Sequence, residues 1–172
     1  RQQVFDQLIR LGHLEVPEIQ PTLPSVRTQF YRNKLEFTAS DKRWILRTED
    51  ADAVPENDRM GLGFHVGKFF DKVLDIKHCW LQPEPSNSIR LFIKSFCVKN
   101  GYEFFNIREN RGFFRNMFVR MNSAGETMLI FCFAHEDAAA RTALLNAVSE
   151  AFPAVTSLWY VINDKMNDSI TD

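Results

Sequence analysis

Residues 31–37 read YRNKLEF and open the stretch, residues 31–82, that decides the fold. Cationic or polar side chains alternate with apolar ones along this run, which predicts a β-strand with one charged face. The stretch continues with GLGFHVG at residues 61–67 and then VLDIKHC at residues 73–79. These two runs predict a pair of short strands joined around Gly67 and followed by a cysteine.

Outward from this stretch, hydrophobic periodicity predicts an α+β fold. Apolar residues at helical spacing predict helices at residues 2–11, from residue 86 to Asn100, and at 138–151. Strands are predicted at residues 31–39, 43–48, 61–66, 72–77, 102–107, 114–121, 127–134 and 158–162, with 114–134 forming a hairpin. From residue 73 onward this order is typical of a split βαβ, ferredoxin-like arrangement, in which helices pack on one face of an antiparallel sheet.

Composition places the chain among cytoplasmic proteins. Apolar residues make up 45% of 172 residues, and 16 phenylalanines predict an aromatic-rich core. No apolar run is long enough to span a membrane, and no charged segment leads into an apolar one as in a secretion signal. Three widely spaced cysteines do not form a disulfide framework.

The net charge of −1 argues against a free-standing, high-affinity RNA-binding protein, since such domains are usually basic. Charge is nevertheless segregated. Acidic residues cluster within residues 49–58 and are interpreted as solvated surface, whereas arginines cluster within residues 108–120.

The sequence contains no complete catalytic motif. The glycines of residues 61–67 do not form a dinucleotide-binding loop, because a strand follows where a helix is required. Neither a Cys-x-x-Cys pair nor a Gly-x-Ser-x-Gly elbow occurs. We therefore assign no catalytic residue to this chain.

Several pieces, taken in order, resemble one family. YRNKLEF at residues 31–37, LGFH at 62–65 and VLDIKHC at 73–79 resemble segments of the RNA uracil-5-methyltransferases. Residues 112–128, which carry Arg115 and Arg120, resemble the hairpin of that family, and residues 2–12 resemble the helix that leads into its central domain. These enzymes use S-adenosylmethionine to methylate uridine in transfer RNA and in 23S ribosomal RNA.

The resemblance implies that residues 1–172 are the central domain of a larger enzyme. Residues 1–30 would be an entry helix and extended lead-in, 31–82 a strand-rich part, 83–163 the split βαβ part, and 164–172 the start of a linker to a catalytic domain. The absence of an initiator methionine and of a cap before the first helix agrees with a chain cut from a longer one. The parent would be a 23S rRNA (uracil-5-)-methyltransferase with an N-terminal oligonucleotide-binding barrel, whereas this fragment alone would be inactive.

Cys79 matches the fourth ligand of the iron–sulfur cluster in the ribosomal-RNA members of that family. This match favours 23S rRNA over tRNA as the partner. The other three ligands would precede Arg1, and four thiolates are needed to hold a four-iron cluster, so the fragment alone would hold none. The alternative is a buried cysteine that acts as a small hydrophobic residue.

Five residues are candidates for RNA binding: Arg32, Lys34, His65, Arg115 and Arg120. Arginine can bind phosphate through two parallel hydrogen bonds, lysine can bind it as a point charge, and His65 can stack on an unpaired base. Arg32 and Lys34 could instead pair with Glu36 on the same strand face. Arg115 and Arg120 have opposite side-chain parity, so only one of them is expected to reach the RNA.

Two other functions stay open from the sequence. The chain could be a free-standing RNA-binding module, which would show tight, salt-sensitive binding by itself. It could also be a structural interaction module without enzymatic activity, in which case Arg32→Ala would leave RNA affinity unchanged.

Overall fold

The computed structural model describes residues 1–16, 18–167 and 169–170, apart from the side chain of Asn57. Its elements, in chain order, are α1 (Gln2–Asp6), which continues as a π-helix (Gln7–Leu11), β1 (Lys34–Ser40), a 3₁₀ turn (Glu56–Asp58), β2 (Gly61–Val66), β3 (Phe69–Leu74), α2 (Ser86–Lys99), β4 (Phe114–Met121), β5 (Thr127–Phe133), α3 (Ala138–Ala151) and β6 (Val155–Ile162). The α+β class predicted from the sequence is confirmed.

Within the described residues, the strands form one sheet in the order β3-β2-β1-β4-β5-β6. Neighbouring strands are antiparallel except β5 and β6, which are parallel and joined by α3. A split βαβ unit would leave a strand between β5 and β6, so this direct pairing differs from the arrangement expected for residues 83–163. The β4–β5 hairpin agrees with its predicted bounds to within one residue.

The core lies between one face of the sheet and helices α2 and α3. Alternation along β1 turns Leu35, Phe37 and Ala39 toward these helices, and each is almost completely buried. Phe92 of α2 meets Phe152, at the end of α3, edge to face at 5.4 Å. Many of the phenylalanines are in this layer, which confirms the prediction of an aromatic-rich core.

The two long helices begin in different ways. Asp137 caps α3 by accepting a hydrogen bond from the Ala140 N–H at 2.9 Å. Neither Ser86 nor Asn87 caps α2. Glu84 serves this end of α2 instead, because its carboxylate accepts hydrogen bonds from the Ser88 N–H and hydroxyl at 3.0 and 2.9 Å.

Several predicted strands have different bounds in the structure. Residues 43–48 contribute one bridge, from Arg43 to Val73, because the chain turns to bring Glu49 back to the Arg43 side chain. Residues 102–107 also form isolated bridges rather than a strand. β1 begins only at Lys34, since the Arg32 N–H donates to the Leu81 carbonyl instead of joining the sheet.

Gly63 shows why β2 contains a glycine within its strand. A Cβ atom at this position would lie 2.0 Å from the Leu74 carbonyl oxygen. Only glycine allows β3 to approach β2 this closely. No helix among the described residues is long and apolar enough to cross a membrane.

Candidate nucleic-acid interface

The face of the sheet opposite α2 and α3, here called the open face, carries a row of side chains at one end. Lys34 of β1 is paired with Arg120 of β4, Arg120 with Met128 of β5, and Met128 with Ser157 of β6. Directly paired residues project to the same side of a sheet. They line a groove of about 310 Å³, called the cationic groove, whose remaining walls come from Asn33, Met121, Asn122, Glu126, Thr127 and Thr156.

Two positive charges face each other in the cationic groove. Lys34 and Arg120 are both exposed, and neither forms an ion pair with a described residue. Like charges directly opposite each other across strands are destabilising. Glu126 also lines the groove, and its carboxylate accepts a hydrogen bond from the Asn122 amide. An external anion such as a phosphate would therefore relieve the repulsion between the two cations.

Arg115 lies at the other end of β4 in an opposite environment. The pairing of β4 with β5 shifts between Phe114 and Asn116, which leaves Arg115 as an extra residue at a bulge. Arg115 is 3% exposed and donates hydrogen bonds to the backbone carbonyls of Asn163, Lys165 and Asn167 at 2.9, 2.7 and 3.1 Å. Its guanidinium carbon lies 4.2 Å from the Phe105 ring centroid.

This environment changes the interpretation of Arg115 and describes the residues that follow β6. Because its guanidinium is buried and donates to backbone carbonyls, Arg115 has a structural role and does not face solvent for RNA. Residues 163–167 are held against the sheet by the same hydrogen bonds, so this part of the expected linker is packed. Of the two hairpin arginines, only Arg120 is exposed.

The remaining RNA-binding candidates lie outside the cationic groove. Phe64 packs on Phe37 with ring centroids 5.2 Å apart, whereas His65 is exposed and borders a small cavity with Phe70 and Asp71. Arg32 is exposed and precedes β1, so it does not share a strand face with Lys34 as expected. Arg32 forms no ion pair with a described residue.

Cys79 is buried, and its surroundings are polar as well as apolar. The Asn87 side chain accepts a hydrogen bond from the Cys79 N–H at 2.7 Å and donates one to its carbonyl at 3.1 Å. Arg90, one helical turn further, is completely buried and donates to the Leu62 carbonyl at 3.1 Å. Burial lowers the pKa of Arg90, while the carboxylates of Asp75 and Glu84 act in the other direction.

The described residues do not build a metal site. No group of three or more His, Cys, Asp or Glu side chains comes together among residues 1–16, 18–167 and 169–170. Cys79 would therefore be one ligand at most. Cys97 and Cys132 are buried in the fold, and burial raises the pKa of the Cys97 thiol to about 12, which leaves it protonated.

The acidic stretch is more ordered than its interpretation as solvated surface implied. Arg43 forms ion pairs with Glu49 at 2.7 Å and with Asp58 at 2.8 Å. These contacts raise the pKa of Arg43, and the hydrogen bond from Arg43 is the main cause that lowers the pKa of Glu49 to about 2. No local pattern identifies Arg43 as the partner of Glu49 and Asp58, because the three residues are spread over 16 positions.

An exposed group of rings was not identified from the sequence. Phe30 lies 5.7 Å from Trp80, and His78 lies 4.3 Å from Trp80, measured between ring centroids. We call Phe30, His78 and Trp80 the aromatic patch. The available signal was the position of two aromatic residues, His78 and Trp80, on either side of a cysteine that could be buried.

Comparisons with known proteins indicate what the chain is similar to. No family model matches it. It is 52% identical to a protein named "Uncharacterized RNA methyltransferase" of Porphyromonas gingivalis, over 99% of this chain and 38% of that protein. It is 44% identical to a protein of the same name in Bacteroides thetaiotaomicron, over 100% of this chain and again 38% of that protein.

The fold is similar to a solved structure. The crystal structure of Pyrococcus abyssi tRNA (uracil-54, C5)-methyltransferase in complex with S-adenosyl-L-homocysteine matches with a TM-score of 0.61 and 20% identity, over 96% of this chain and 34% of that chain. At this identity the likeness concerns the fold alone. The chain is thus homologous, along nearly its whole length, to proteins named RNA methyltransferases, and it spans 38% of the length of the curated relatives it matches.

Proposed function

We propose that the chain is the central, RNA-contacting domain of an S-adenosylmethionine-dependent RNA methyltransferase that forms 5-methyluridine in the cytoplasm. 23S rRNA is the favoured substrate and tRNA the alternative. The names of the homologues support the methyltransferase activity. The observation that carries the RNA contact is the opposed pair Lys34 and Arg120, two exposed cations without a carboxylate partner among the described residues.

The cationic groove suits a phosphate better than a base. Lys34 and Arg120 supply the charge, and the Asn33 and Ser157 side chains supply neutral polar groups. Phosphate contacts fix the orientation and register of a nucleic acid without reading its sequence. A net charge of −1 agrees with a short electrostatic footprint, so the domain would position RNA rather than provide all of its affinity.

In the parent enzyme, RNA binding and methyl transfer would be carried out by successive domains of the chain. Residues 31–82 and 83–163 would hold the RNA while the target uridine is moved out of its stack toward a catalytic domain after residue 172. S-adenosylmethionine, bound in that domain, would supply the methyl group. Cys79 would complete an iron–sulfur cluster if the parent provides three further cysteines upstream.

A methylation assay on the full-length gene product tests this function. The protein is incubated with S-adenosylmethionine carrying a labelled methyl group and with transcripts of 23S rRNA or tRNA, and the nucleosides are identified by mass spectrometry. We expect labelled 5-methyluridine from the 23S transcript. Formation of another methylated nucleoside, or of none from either RNA, would refute the proposal.

Matched variants link the activity to this domain. Lys34→Ala combined with Arg120→Ala should lower methyl transfer at subsaturating RNA and leave the rate at saturating RNA much less changed. Lys99→Ala is the control, since Lys99 is equally exposed but lies at the end of α2, away from the open face. Salt-sensitive RNA binding without methyl transfer would favour the RNA-binding module instead.

A further inference from the structure

The aromatic patch is formed by two segments that the backbone holds together. The Phe30 N–H donates to the Trp80 carbonyl, and the Arg32 N–H donates to the Leu81 carbonyl, both at 2.8 Å. Trp80 is 56% exposed and His78 is exposed, while Phe30 is half-buried beside them. The patch therefore exposes part of its rings to solvent, on a backbone held by these two hydrogen bonds.

Cys79 keeps the two outer rings in place. It is 3% exposed, and the Asn87 side chain binds both its N–H and its carbonyl. Cys79 is buried, whereas His78 and Trp80 on either side of it are exposed. Phe30 adopts a φ of 53°, a strained conformation for a bulky residue, and in it the ring contacts both His78 and Trp80.

The charges beside the patch favour an anionic partner. Arg32 is exposed and forms no ion pair with a described residue. Of the carboxylates nearest to His78 and Trp80 in sequence, Asp75 forms an ion pair with Lys94, and Glu84 accepts hydrogen bonds from Ser88. Rings beside an unpaired cation complement a nucleotide, whose base stacks on the rings and whose phosphate contacts the cation.

The patch lies close to the cationic groove along the chain. Phe30 belongs to the patch, and Asn33 and Lys34 line the groove. Four residue steps span at most about 14 Å even in a fully extended chain. Arg32 lies between the two sites in sequence.

We propose that Phe30, His78 and Trp80 form a stacking platform for an unpaired RNA base, with Arg32 contacting a neighbouring phosphate. This inference deepens the proposed function and rests on its RNA-binding part. It assigns the domain two kinds of contact, a phosphate site in the groove and a base site on the patch. The base site is tolerant of sequence, because each base has a ring face that can stack.

A binding experiment with matched RNAs tests the platform. The full-length gene product is titrated with a fluorescently labelled, unstructured oligouridine and with the same oligomer in which the central nucleotides lack their bases. Trp80→Ala should weaken binding of the intact oligomer about tenfold, within the range measured for base stacking on aromatic side chains. It should leave binding of the abasic oligomer unchanged, because the phosphates are identical.

Two control variants keep the result interpretable. Trp80→Phe retains a ring face and should recover most of the affinity for the intact oligomer. Tyr160→Ala removes an exposed ring that contacts Arg141 of α3, on the helix side of the sheet, and should change neither affinity. Thermal unfolding of each variant confirms that the protein is folded.

The outcomes separate the platform from the function on which it rests. Equal losses of affinity for both oligomers, or no loss for either, would overturn the platform and leave RNA binding intact. If the wild-type protein binds neither oligomer and methylates no transcript, both proposals are overturned. Loss of thermal stability in Trp80→Ala without loss of affinity would show that the rings pack against protein, which also overturns the platform.

Discussion

The two ends of β4 place the same residue type in opposite environments. Arg115 is buried and donates to three backbone carbonyls, whereas Arg120, five residues further, is exposed, faces Lys34 and has no carboxylate partner in the part of the chain that the structure describes. The first arginine stabilises the fold, and the second leaves its hydrogen-bonding groups available to an external anion. The partners of a cation, rather than its identity, thus decide whether it is held within the fold or is available to a ligand.

The sharpest test of this comparison replaces the buried arginine. Arg115→Met should lower the free energy of unfolding by about 3 kcal/mol, because three carbonyls lose a charged donor and each such loss costs about 1 kcal/mol or more. Urea denaturation measures the change. Arg120→Met is the matched control, with an expected effect below about 0.5 kcal/mol at this exposed position. Equal effects of the two substitutions would remove the distinction between the ends of β4.

The exposed end of β4, where Arg120 faces Lys34, is tested by the salt dependence of RNA binding. Replacing Lys34 and Arg120 together by alanine should reduce affinity for single-stranded RNA about tenfold at low salt. The slope of log affinity against log salt should become shallower by about 1.4, since each lost phosphate contact contributes about 0.7. Fluorescence anisotropy at several salt concentrations measures both quantities. An unchanged slope would show that neither side chain contacts phosphate.

Arg90 extends the comparison to a second buried arginine. It is completely buried, yet its Nε and Nη2 groups have no hydrogen-bond partner among the described residues. Since burial of an incompletely paired charge is costly, Arg90→Met should change the free energy of unfolding by no more than about 1 kcal/mol, and a gain is allowed. A loss as large as that of Arg115→Met, measured by urea denaturation, would contradict this expectation.

The smallest expected effect is a pH dependence of stability that comes from the ion pair between Arg43 and Glu49. This ion pair lowers the pKa of Glu49 from 4.5 to about 2, so the stabilisation is complete above pH 4.5 and is lost as the pH falls toward 2. The urea midpoint of the wild type should therefore decrease between pH 4.5 and 2 more than that of Glu49→Gln. Glu56→Gln serves as control, because the Glu56 side chain is 96% exposed, and should behave as the wild type does. Identical curves for Glu49→Gln and the wild type would exclude this contribution.

Hydrophobic periodicity was sufficient to predict the elements in which buried and exposed side chains follow the period of a helix or strand. The helix α3, the apolar positions of α2 and the β4–β5 hairpin were predicted because burial alternates with the period of each element. It failed for residues 43–48 and 102–107, where single bridges and side-chain hydrogen bonds hold the backbone. Such contacts depend on residues far away in sequence and leave no local pattern.

The candidate site was only partly predictable for the same reason. Lys34 and Arg120 were identified individually, but their direct pairing depends on the register between β1 and β4. The burial of Arg115 depends on a bulge that parity cannot reveal. The aromatic patch joins residue 30 to residues 78–80, and no spacing rule connects segments so far apart.

The position of β1 in the sheet also has a kinetic consequence. β1, β2 and β3 follow one another as antiparallel neighbours, and β4, β5 and β6 form a second local group, so each half can assemble from contacts close in sequence. The seam between the halves pairs β1 with β4 and joins Glu36 to Asn116, which are 80 residues apart. Closing so long a loop costs entropy before any contact compensates for it. Formation of this seam is therefore the expected rate-limiting step of refolding, and the cationic groove, which the seam creates, is completed only when the two halves join.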